Sequence, residues 1–311
     1  MAELARYSPK QLAEYLDRIK LPASQHASDP LEFLTQLVQK QLAYVPFETL
    51  SLHYSTHKNV SLDPEDLHQK IVHKRRGGYC LENNSFFETV LRSLGFHVIG
   101  VICRITMATR GVFDGSWRAM SHMANIVTID NKRYLVDVGY GADGPCTPLP
   151  LDSSSIRDGL PSQQLKLEHR TLPQHLDSTQ KVWVYSQKRD SEDWADIYHF
   201  PDVEFFPLDF DILNHHAMTK SLWASTVVAQ RFTLGEDGVK ISGTLLLVRD
   251  ELKAGNSSPQ KMKLVKKLEN EEQRLDALRE NFSISLTEEE QRAIRSSAAE
   301  LGQAAVQNGD I

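Results

Sequence analysis

The sequence predicts a mixed α+β fold with a helical segment up to residue 95, a strand-rich segment at 96–205 and a mixed segment at 206–311. Three observations support this prediction. Apolar residues recur at helical spacing in the first segment, β-branched and aromatic runs dominate the second, and both patterns occur in the third. A chain of 311 residues can bury a large core and form two or three structural units.

Helix-start signals divide the first segment. At three places a capping Ser or Asp stands directly before a proline. Proline is favoured in the first turn of a helix because the N–H that it lacks would be unpaired there. The three starts are Ser8-Pro9, Asp29-Pro30 and Asp63-Pro64. A fourth helix is predicted from the apolar spacing between Ser85 and Leu94, and it ends at Gly95.

Strand signals fill the second segment. The turn residues Asp130-Asn131-Lys132 join two predicted strands as a hairpin. The predicted strands cover residues 97–105, 121–127, 134–141, 182–186 and 194–200, with a short strand near 165–167. The third segment is predicted to contain a helix at 209–217, strands at 226–232 and 239–248, and charged helices after residue 261.

Composition bounds the class of protein. The net charge of −6 provides no general attraction to nucleic acid or acidic membranes, and no apolar run approaches the roughly 20 residues that span a bilayer. We therefore expect neither a nucleic-acid nor a membrane partner. The chain has three cysteines without metal-type spacing, which favours a reducing, cytoplasmic location. Apart from Cys80, we predict that Cys103 is a core residue and that Cys146 is a loop thiol. The adjacent pair His215-His216 lacks a third ligand at metal-site spacing, so no metal is expected.

The stretch from Arg75 to Asn84 is the strongest candidate for chemistry. Gly77 and Gly78 permit a tight turn and a close approach of the backbone. Cys80 then falls near the start of a helix, where unpaired N–H groups and nearby basic side chains favour a thiolate. A thiolate is a nucleophile, so the pattern indicates covalent catalysis. A lone cysteine is more often a buried structural thiol, and the assignment therefore depends on partners elsewhere in the chain.

His122 and Asp137 are those partners. They stand on the two strands of the predicted hairpin, which places their side chains close enough to hydrogen-bond. A nucleophilic Cys80, a His base and an Asp that orients the His together form a catalytic triad.

Glu48 is predicted to be a buried carboxylate because Phe47 and Leu50 flank it. A buried carboxylate needs a partner, and Arg76 is the natural one, since an Arg–carboxylate pair has a fixed bidentate geometry. We expect this pair to hold the loop that presents Cys80.

These residues resemble the motifs of the arylamine N-acetyltransferase family. The family pattern Arg-Gly-Gly-aromatic-Cys matches residues 76–80, its strand histidine matches His122, and its Val-Asp-x-Gly-aromatic-Gly pattern matches residues 136–141. Its Pro-Phe-Glu-Asn-Leu element matches residues 46–50, with Thr49 in place of Asn. The resemblance covers roughly residues 10 to 250 and includes the Glu48–Arg76 pairing.

The resemblance implies a fold and a reaction. The fold is an N-terminal helical bundle (1–95), a central antiparallel β-barrel-like domain (96–205) and a C-terminal α/β lid (206–311). The reaction is two-step acyl transfer from acetyl-CoA, or another acyl-CoA, to a small aromatic amine or hydrazine. In this scheme Cys80 carries the acyl group, His122 is the base and Asp137 orients it.

Further residues are expected to contact the substrates. Tyr79, Phe47 and Tyr140 are candidates for the walls of an aromatic acceptor site, although aromatic residues beside strands are more often core. The family carries Ser-Thr-x-Pro-x-Ser-x-Phe at the donor cleft, whereas residues 218–223 keep a Ser and an aromatic residue but lack the Pro. The other candidate contacts are Gly139, Gly141, Thr219, Ser221 and Trp223.

Three alternatives stay open. An enzyme of the same family can prefer malonyl- or propionyl-CoA. The extra carboxylate of malonyl needs a cation, for which Arg104, Arg110 and Arg118 are candidates. Because arginines are mostly exposed, acetyl- or propionyl-CoA is favoured over malonyl-CoA. A Cys-His-Asp hydrolase or transglutaminase-like enzyme is the second alternative. A non-catalytic interaction protein is the third, and the complete triad argues against it.

Overall fold

The computed structural model describes residues 4–110, 112, 114–189, 193–256, 261–295 and 297–302. These residues form seven α-helices and two antiparallel sheets. The helices are α1 (Pro9–Arg18), α2 (Pro30–Tyr44), α3 (Pro64–His68), α4 (Cys80–Ser93), α5 (Pro207–Lys220), α6 (Glu271–Phe282) and α7 (Glu288–Ala293). Within the described ranges, no helix is both long and apolar enough to cross a membrane.

The strands form one large and one small sheet. They are β1 (Phe47–Glu48), β2 (His97–Thr106), β3 (Trp117–Ile129), β4 (Lys132–Val136), β5 (Leu149–Pro150), β6 (Ile156–Asp158), β7 (Gln163–Arg170), β8 (Val182–Arg189), β9 (Ala195–Phe200), β10 (Val228–Leu234), β11 (Ile241–Val248), β12 (Glu251–Gly255) and β13 (Lys263–Lys267). The large sheet has the order β5-β4-β3-β2-β9-β8-β7-β6, and the small one β1-β10-β11-β12-β13. Edge strand β5 contacts β7, near the opposite edge, so the large sheet is a nearly closed barrel.

The predicted helix starts are confirmed by their caps. A first-turn N–H donates to Ser8 Oγ at 3.3 Å in α1, to Asp29 Oδ1 at 2.8 Å in α2 and to Asp63 Oδ1 at 2.9 Å in α3. Each bond pairs a donor that the helix itself leaves unpaired, and such a cap contributes about 1 kcal/mol.

Helix α3 runs directly into a π-helical turn, Gln69–His73, which the sequence analysis did not predict. The N–H of Lys74 donates to the carbonyl of Gln69 at 3.0 Å and closes this wider turn. Arg75 then takes a left-handed backbone conformation (φ 53°), and the chain enters the loop before α4. The π turn therefore changes which side chains share one face of this helical segment.

The predicted hairpin around residue 131 is confirmed. Strands β3 and β4 pair antiparallel and end on the pair Ile129 and Lys132, which leaves a two-residue turn. Asp130 and Asn131 both have positive φ, 48° and 61°. Two left-handed residues are what a type I′ turn requires, and short polar side chains tolerate that conformation best.

The third segment departs from prediction near its end. Helices α5 and α6 and strands β10 and β11 form close to the predicted positions, but β12 and β13 were not predicted. Strand β13 lies inside the segment predicted as charged helices. It is an exposed edge strand rich in lysine, and lysine on an edge discourages pairing with another chain. Pairing with β12 outweighs its local preference.

Contacts cross both predicted domain boundaries. Strand β1 of the first segment pairs with β10 of the third, with Phe47 opposite Gln230. Helix α4 packs on β2 and β3 of the second segment. The division of the chain at residues 95 and 205 stays a prediction.

Helix α4 is anchored by its apolar face. Phe86, Phe87, Val90 and Leu91 are completely buried in the main core. Burial of such a side chain contributes about 1.5–3 kcal/mol. These four residues therefore hold the helix rigidly against the barrel and position Cys80 at its N-terminal end.

Candidate active site

Cys80 is the first residue of α4, and only 6 % of its surface is exposed. Its Sγ lies 3.9 Å from the carbonyl oxygen of Ser121 on β3. The loop before it packs closely against the start of β1. A Cβ at Gly77 would lie 1.8 Å from the carbonyl oxygen of Pro46. Because the obstacle is backbone, only glycine permits this approach.

His122 and Asp137 form a buried pair beside Cys80. His122 lies on β3 and Asp137 directly follows β4, and Nε2 of the imidazole is 2.7 Å from Oδ2 of the carboxylate. The rings of Tyr140 and Tyr198 flank the imidazole at centroid distances of 5.2 and 5.3 Å. The predicted proximity is confirmed, and packing fixes the orientation of the ring.

The pair is charged near neutral pH. Burial alone lowers the pKa of His122, but the Asp137 charge, the hydrogen bond to that carboxylate and a hydrogen bond with Cys80 raise it to about 10. Burial alone raises the pKa of Asp137, but the attraction of His122 outweighs it and the pKa falls below its usual value. With Nε2 turned to Asp137, Nδ1 is the nitrogen available to Cys80. An imidazolium in this place can hydrogen-bond to the sulfur of Cys80.

Asn84 orients Asp137, a role that the sequence analysis missed. Its Nδ2 donates to Asp137 Oδ1 at 3.0 Å, and its Oδ1 accepts from the N–H of Val138 at 3.0 Å. Asn84 follows Cys80 by four residues, so both lie on one face of α4. The four-residue interval between Cys80 and Asn84 could have indicated from the sequence that Asn84 lies at the site. A Cβ at Gly139 would lie 2.7 Å from Asn84 Nδ2 and from Cys80 Cα, so glycine lets this loop reach the helix.

The predicted pair of Glu48 and Arg76 lies beneath the Cys80 loop. Arg76 Nε is 2.9 Å from Glu48 Oε1, and the N–H of Leu50 donates to Oε2 at 2.6 Å. The contact is therefore a single hydrogen bond and not the expected bidentate pair, because the backbone takes the second oxygen. Lys70 Nζ lies 2.5 Å from Glu82 and 3.8 Å from Glu48. Burial alone raises the pKa of Glu48, but Arg76 and Lys70 lower it below its usual value.

One cavity opens onto Cys80 and His122. Five of the predicted substrate contacts line it, namely Phe47, Gly139, Tyr140, Ser221 and Trp223. The rings of Phe47 and Trp223 meet edge to face at 5.3 Å. Gly141 lines an adjoining cavity that shares Phe47, Tyr140 and Trp223 with the first. Strand β1, the loop after β4 and the 3₁₀ turn Leu222–Ala224 after α5 thus build one aromatic wall.

Two predicted contacts lie elsewhere. Tyr79 is completely buried in the core, and its hydroxyl hydrogen-bonds to Asn214, so it has no surface to offer a substrate. Its bulk fills the space under the Cys80 loop. Thr219 is exposed near the end of α5, and its hydroxyl donates to the carbonyl of His215 in its own helix at 2.9 Å. Helical rotation places Ser221, not Thr219, at the cavity.

The cavity is also lined by ionisable side chains, one of which, Arg118, is among the three candidate cations of the sequence analysis. Arg118, Asp143 and His216 line it. Arg118 is half-buried on β3. Asp143 accepts from Arg189 Nη2 at 3.3 Å and from Gln187 Nε2 at 3.1 Å, so these neighbours engage its Oδ1 atom. The fold therefore places a cation, Arg118, in the wall of the cavity.

The other two cysteines are core residues. Burial raises the pKa of Cys103 and raises that of Cys146 to about 12. Cys103 was predicted to be core. Cys146 lies in the loop between β4 and β5, as predicted, but this loop is folded inward, so the thiol is 4 % exposed and packs in the main core. Neither thiol ionises readily, which leaves Cys80 as the candidate nucleophile.

Comparison with known proteins agrees with this geometry. The family model described as N-acetyltransferase matches residues 30–291. The chain is 32% identical to the N-malonyltransferase FDB2 of Fusarium pseudograminearum, over 93% of this chain and 92% of the relative. It superimposes on the Nocardia farcinica arylamine N-acetyltransferase with a TM-score of 0.74 at 28% identity, covering 91% of this chain and 92% of that one. The Mycobacterium marinum enzyme in complex with CoA gives 0.72 at 24% identity, covering 91% and 97%.

A barrel that carries this helix and these side chains is the architecture of an acyltransferase. The chain belongs to the arylamine N-acetyltransferase family. Enzymes of this family use an acyl-CoA as donor and an amine as acceptor.

Proposed function

We propose that the protein transfers an acyl group from an acyl-CoA to an aromatic amine or hydrazine through a thioester on Cys80. The placement of Cys80 and His122 in the wall of one aromatic cavity, with Asp137 hydrogen-bonded to the imidazole behind it, carries this proposal. Family membership supports the reaction class.

The first half-reaction acylates Cys80. Its thiolate attacks the thioester carbonyl, and the tetrahedral intermediate then expels the CoA thiolate, which takes a proton from the His122 imidazolium. The backbone N–H of Cys80 is available to the oxyanion, because first-turn N–H groups have no partner inside a helix. Asp137 holds the imidazole in place and stabilises its charged form.

The second half-reaction transfers the acyl group to the amine. The amine nitrogen attacks the Cys80 thioester, His122 accepts the proton, and the sulfur leaves as a thiolate. Phe47, Tyr140 and Trp223 present aromatic surface suited to a flat acceptor. An aromatic amine is a weak base and is neutral near pH 7, so it enters such a cavity without a charge to desolvate.

The test is an intact-mass measurement after the protein is mixed with an acyl-CoA. We expect one acyl adduct on wild type and none on Cys80→Ser, since a serine hydroxyl is not ionised by a neighbouring imidazole. Cys103→Ser is the control and should keep the adduct. An adduct on Cys103 or Cys146 with Cys80 unmodified would overturn the assignment. Amine release from a peptide or glutamine substrate would instead support a hydrolase or transglutaminase.

For the donor we propose malonyl-CoA in place of the acetyl- or propionyl-CoA favoured by sequence. Two observations support this choice. Arg118 is half-buried in the cavity wall, so its guanidinium can pair with the extra carboxylate of a malonyl group that is bound in the cavity. The relative from Fusarium pseudograminearum, which this chain matches over 93% of its length, is named an N-malonyltransferase. Arg104 lies on β2, and the side chain of Arg110 lies outside the described residues.

The donor is tested by kcat/KM for malonyl- and acetyl-CoA with one arylamine held constant. We expect a malonyl preference of about tenfold or more, equivalent to about 1.4 kcal/mol. Arg118→Met should abolish the preference, whereas Arg104→Met, the matched control, should keep it. A preference for acetyl-CoA in wild type would overturn malonyl as donor and leave the Cys80 reaction standing.

A further inference from the structure

A cluster of three metal-binding side chains lies outside the cavity, where α1 meets the end of the π turn. Glu14 Oε2 is 3.9 Å from His68 Nε2 and 3.6 Å from His73 Nε2. All three ligand atoms lie within 4.8 Å of one another. We propose that Glu14, His68 and His73 form a binding site for a divalent transition-metal ion, with Zn²⁺ as its probe.

The π turn creates this cluster. In an α-helix with 3.6 residues per turn, residues five apart point about 140° away from each other. A π turn closes its hydrogen bond over five residues, so it returns His73 to the face of His68. The two imidazole rings accordingly meet at a centroid distance of 5.2 Å. Among the histidines, the sequence analysis considered only the pair His215-His216. An interval of five residues is not a metal-site spacing in an α-helix, so the sequence does not mark His68 and His73 as a pair.

The two distances that involve Glu14 are close to those of a tetrahedral ion. Zinc bonds of about 2.0–2.2 Å place two tetrahedral ligands about 3.3–3.6 Å apart. The two distances to Glu14 Oε2 exceed this range by no more than a few tenths of an ångström. Glu14 and His73 are 31% and 45% exposed and can adjust, while the 4% exposed His68 side chain supplies a fixed point. Two imidazoles and one carboxylate form a zinc ligand set that leaves the fourth position to water.

Two existing contacts oppose binding of the ion. His68 Nε2 lies 3.2 Å from the carbonyl oxygen of Gln11, so the ion requires the tautomer with hydrogen on Nδ1. Lys10 Nζ lies 3.8 Å from Glu14 Oε1, the oxygen that does not face the histidines. The Lys10 side chain is 86% exposed, so this pair contributes little and opposes binding weakly.

The site would tie α1 to the segment that carries Lys70, which contacts Glu82 and Glu48 beneath the Cys80 loop. Bound zinc should therefore raise the unfolding midpoint of the whole chain, because an ion that binds only the folded state stabilises it.

The test is calorimetric titration of Zn²⁺ into metal-free Cys80→Ala protein. The Cys80 substitution removes a sulfur that can itself bind zinc, so the measured number of zinc equivalents reports the proposed site. We expect one equivalent of zinc. His73→Gln in the same background should lower the affinity by at least about tenfold, since losing even an outer partner of a metal ligand costs that much. His57→Gln, another exposed histidine, is the matched control and should leave binding unchanged.

A substitution of a second metal-binding residue and two spectroscopic measurements distinguish loss of the site from loss of the fold. Glu14→Gln should weaken zinc binding as His73→Gln does, and both variants should lose the visible absorption of Co²⁺ bound in place of zinc. Both residues are partly exposed, so circular dichroism should show each variant folded. No zinc binding by Cys80→Ala, or equal binding by the His73 and His57 variants, would overturn the site. Either result leaves the Cys80 reaction untouched.

Discussion

Two buried ion pairs lie close to the Cys80 loop, and they differ in what they face. His122–Asp137 opens onto the cavity through the imidazole. Arg76–Glu48 is enclosed by Lys70, by β1 and by Glu290 of α7. Both are nearly inaccessible to water. In the proposed reaction, the first pair would act on the sulfur of Cys80, and the second would hold the loop that carries it.

The two pairs also differ in how completely they are hydrogen-bonded. Asp137 accepts bonds from His122, from Asn84 and from the N–H of Gly139, which engage both of its oxygens. Among the described residues, Arg76 Nη2 has no hydrogen-bond partner. Because both oxygens of Asp137 accept hydrogen bonds, the carboxylate holds the imidazole in the orientation that the proposed reaction needs. A pair that only holds a loop in place tolerates an unpaired N–H group.

The largest effect is expected from Asp137→Asn. An amide in place of the carboxylate removes the charge that stabilises the imidazolium and permits the wrong tautomer of His122. The kcat/KM should fall by about 10⁴-fold, as in related triads. Asp143→Asn is the matched control, because that carboxylate lies in the same cavity wall. A loss below tenfold for Asp137→Asn would show that the pair is not catalytic.

The next effect is expected on stability. Glu48→Gln leaves Arg76 without its buried counter-charge, and the free energy of unfolding should fall by about 3–5 kcal/mol. Denaturant titration measures it. The Glu290 side chain, the outer partner of Arg76, is 29% exposed. Glu290→Gln should therefore lower the free energy of unfolding by less than about 1 kcal/mol. Equal stability of Glu48→Gln and wild type would show that the pair does not support the loop.

Asn84→Ala tests the support of Asp137. It removes one donor to the carboxylate and leaves the N–H of Val138 unpaired, at a cost of about 1–3 kcal/mol. The kcat/KM should fall roughly 10- to 100-fold with little change in KM. Thr219→Ala, outside the cavity, serves as the control. If Asn84→Ala raises KM and keeps kcat, the residue contacts substrate and does not position the triad.

For each unit of pH, the smallest effect is the pH dependence of stability. The pKa of His122 is about 10 in the folded chain, against about 6.5 unfolded, so the folded state retains the proton more strongly. This stabilisation is fully present below pH 6.5 and is lost as the pH rises to about 10. One linked proton gives at most about 1.4 kcal/mol per pH unit. Denaturant titrations at pH 7, 8 and 9 should show this slope, and His122→Gln should flatten it.

The predictions that succeeded share a local cause. Caps at Ser8, Asp29 and Asp63 and the turn at Asp130-Asn131 depend on neighbours within a few residues, so their patterns are visible in the sequence. The proximity of His122 and Asp137 followed from the same hairpin. Those that failed depend on distant packing, since β13 exists only because β12 pairs with it.

The sequence by itself determined the helices, the central hairpin and the identity of the three candidate catalytic side chains, because caps, turns and alternation are short-range chemistry. Tertiary structure decided which side chains meet. It buried Tyr79, turned Thr219 outward and placed Arg118 in the cavity wall. It also brought His68 and His73 to one face through a π turn. These outcomes depend on how helices pack against the barrel, and residues far apart in the chain supply that packing energy.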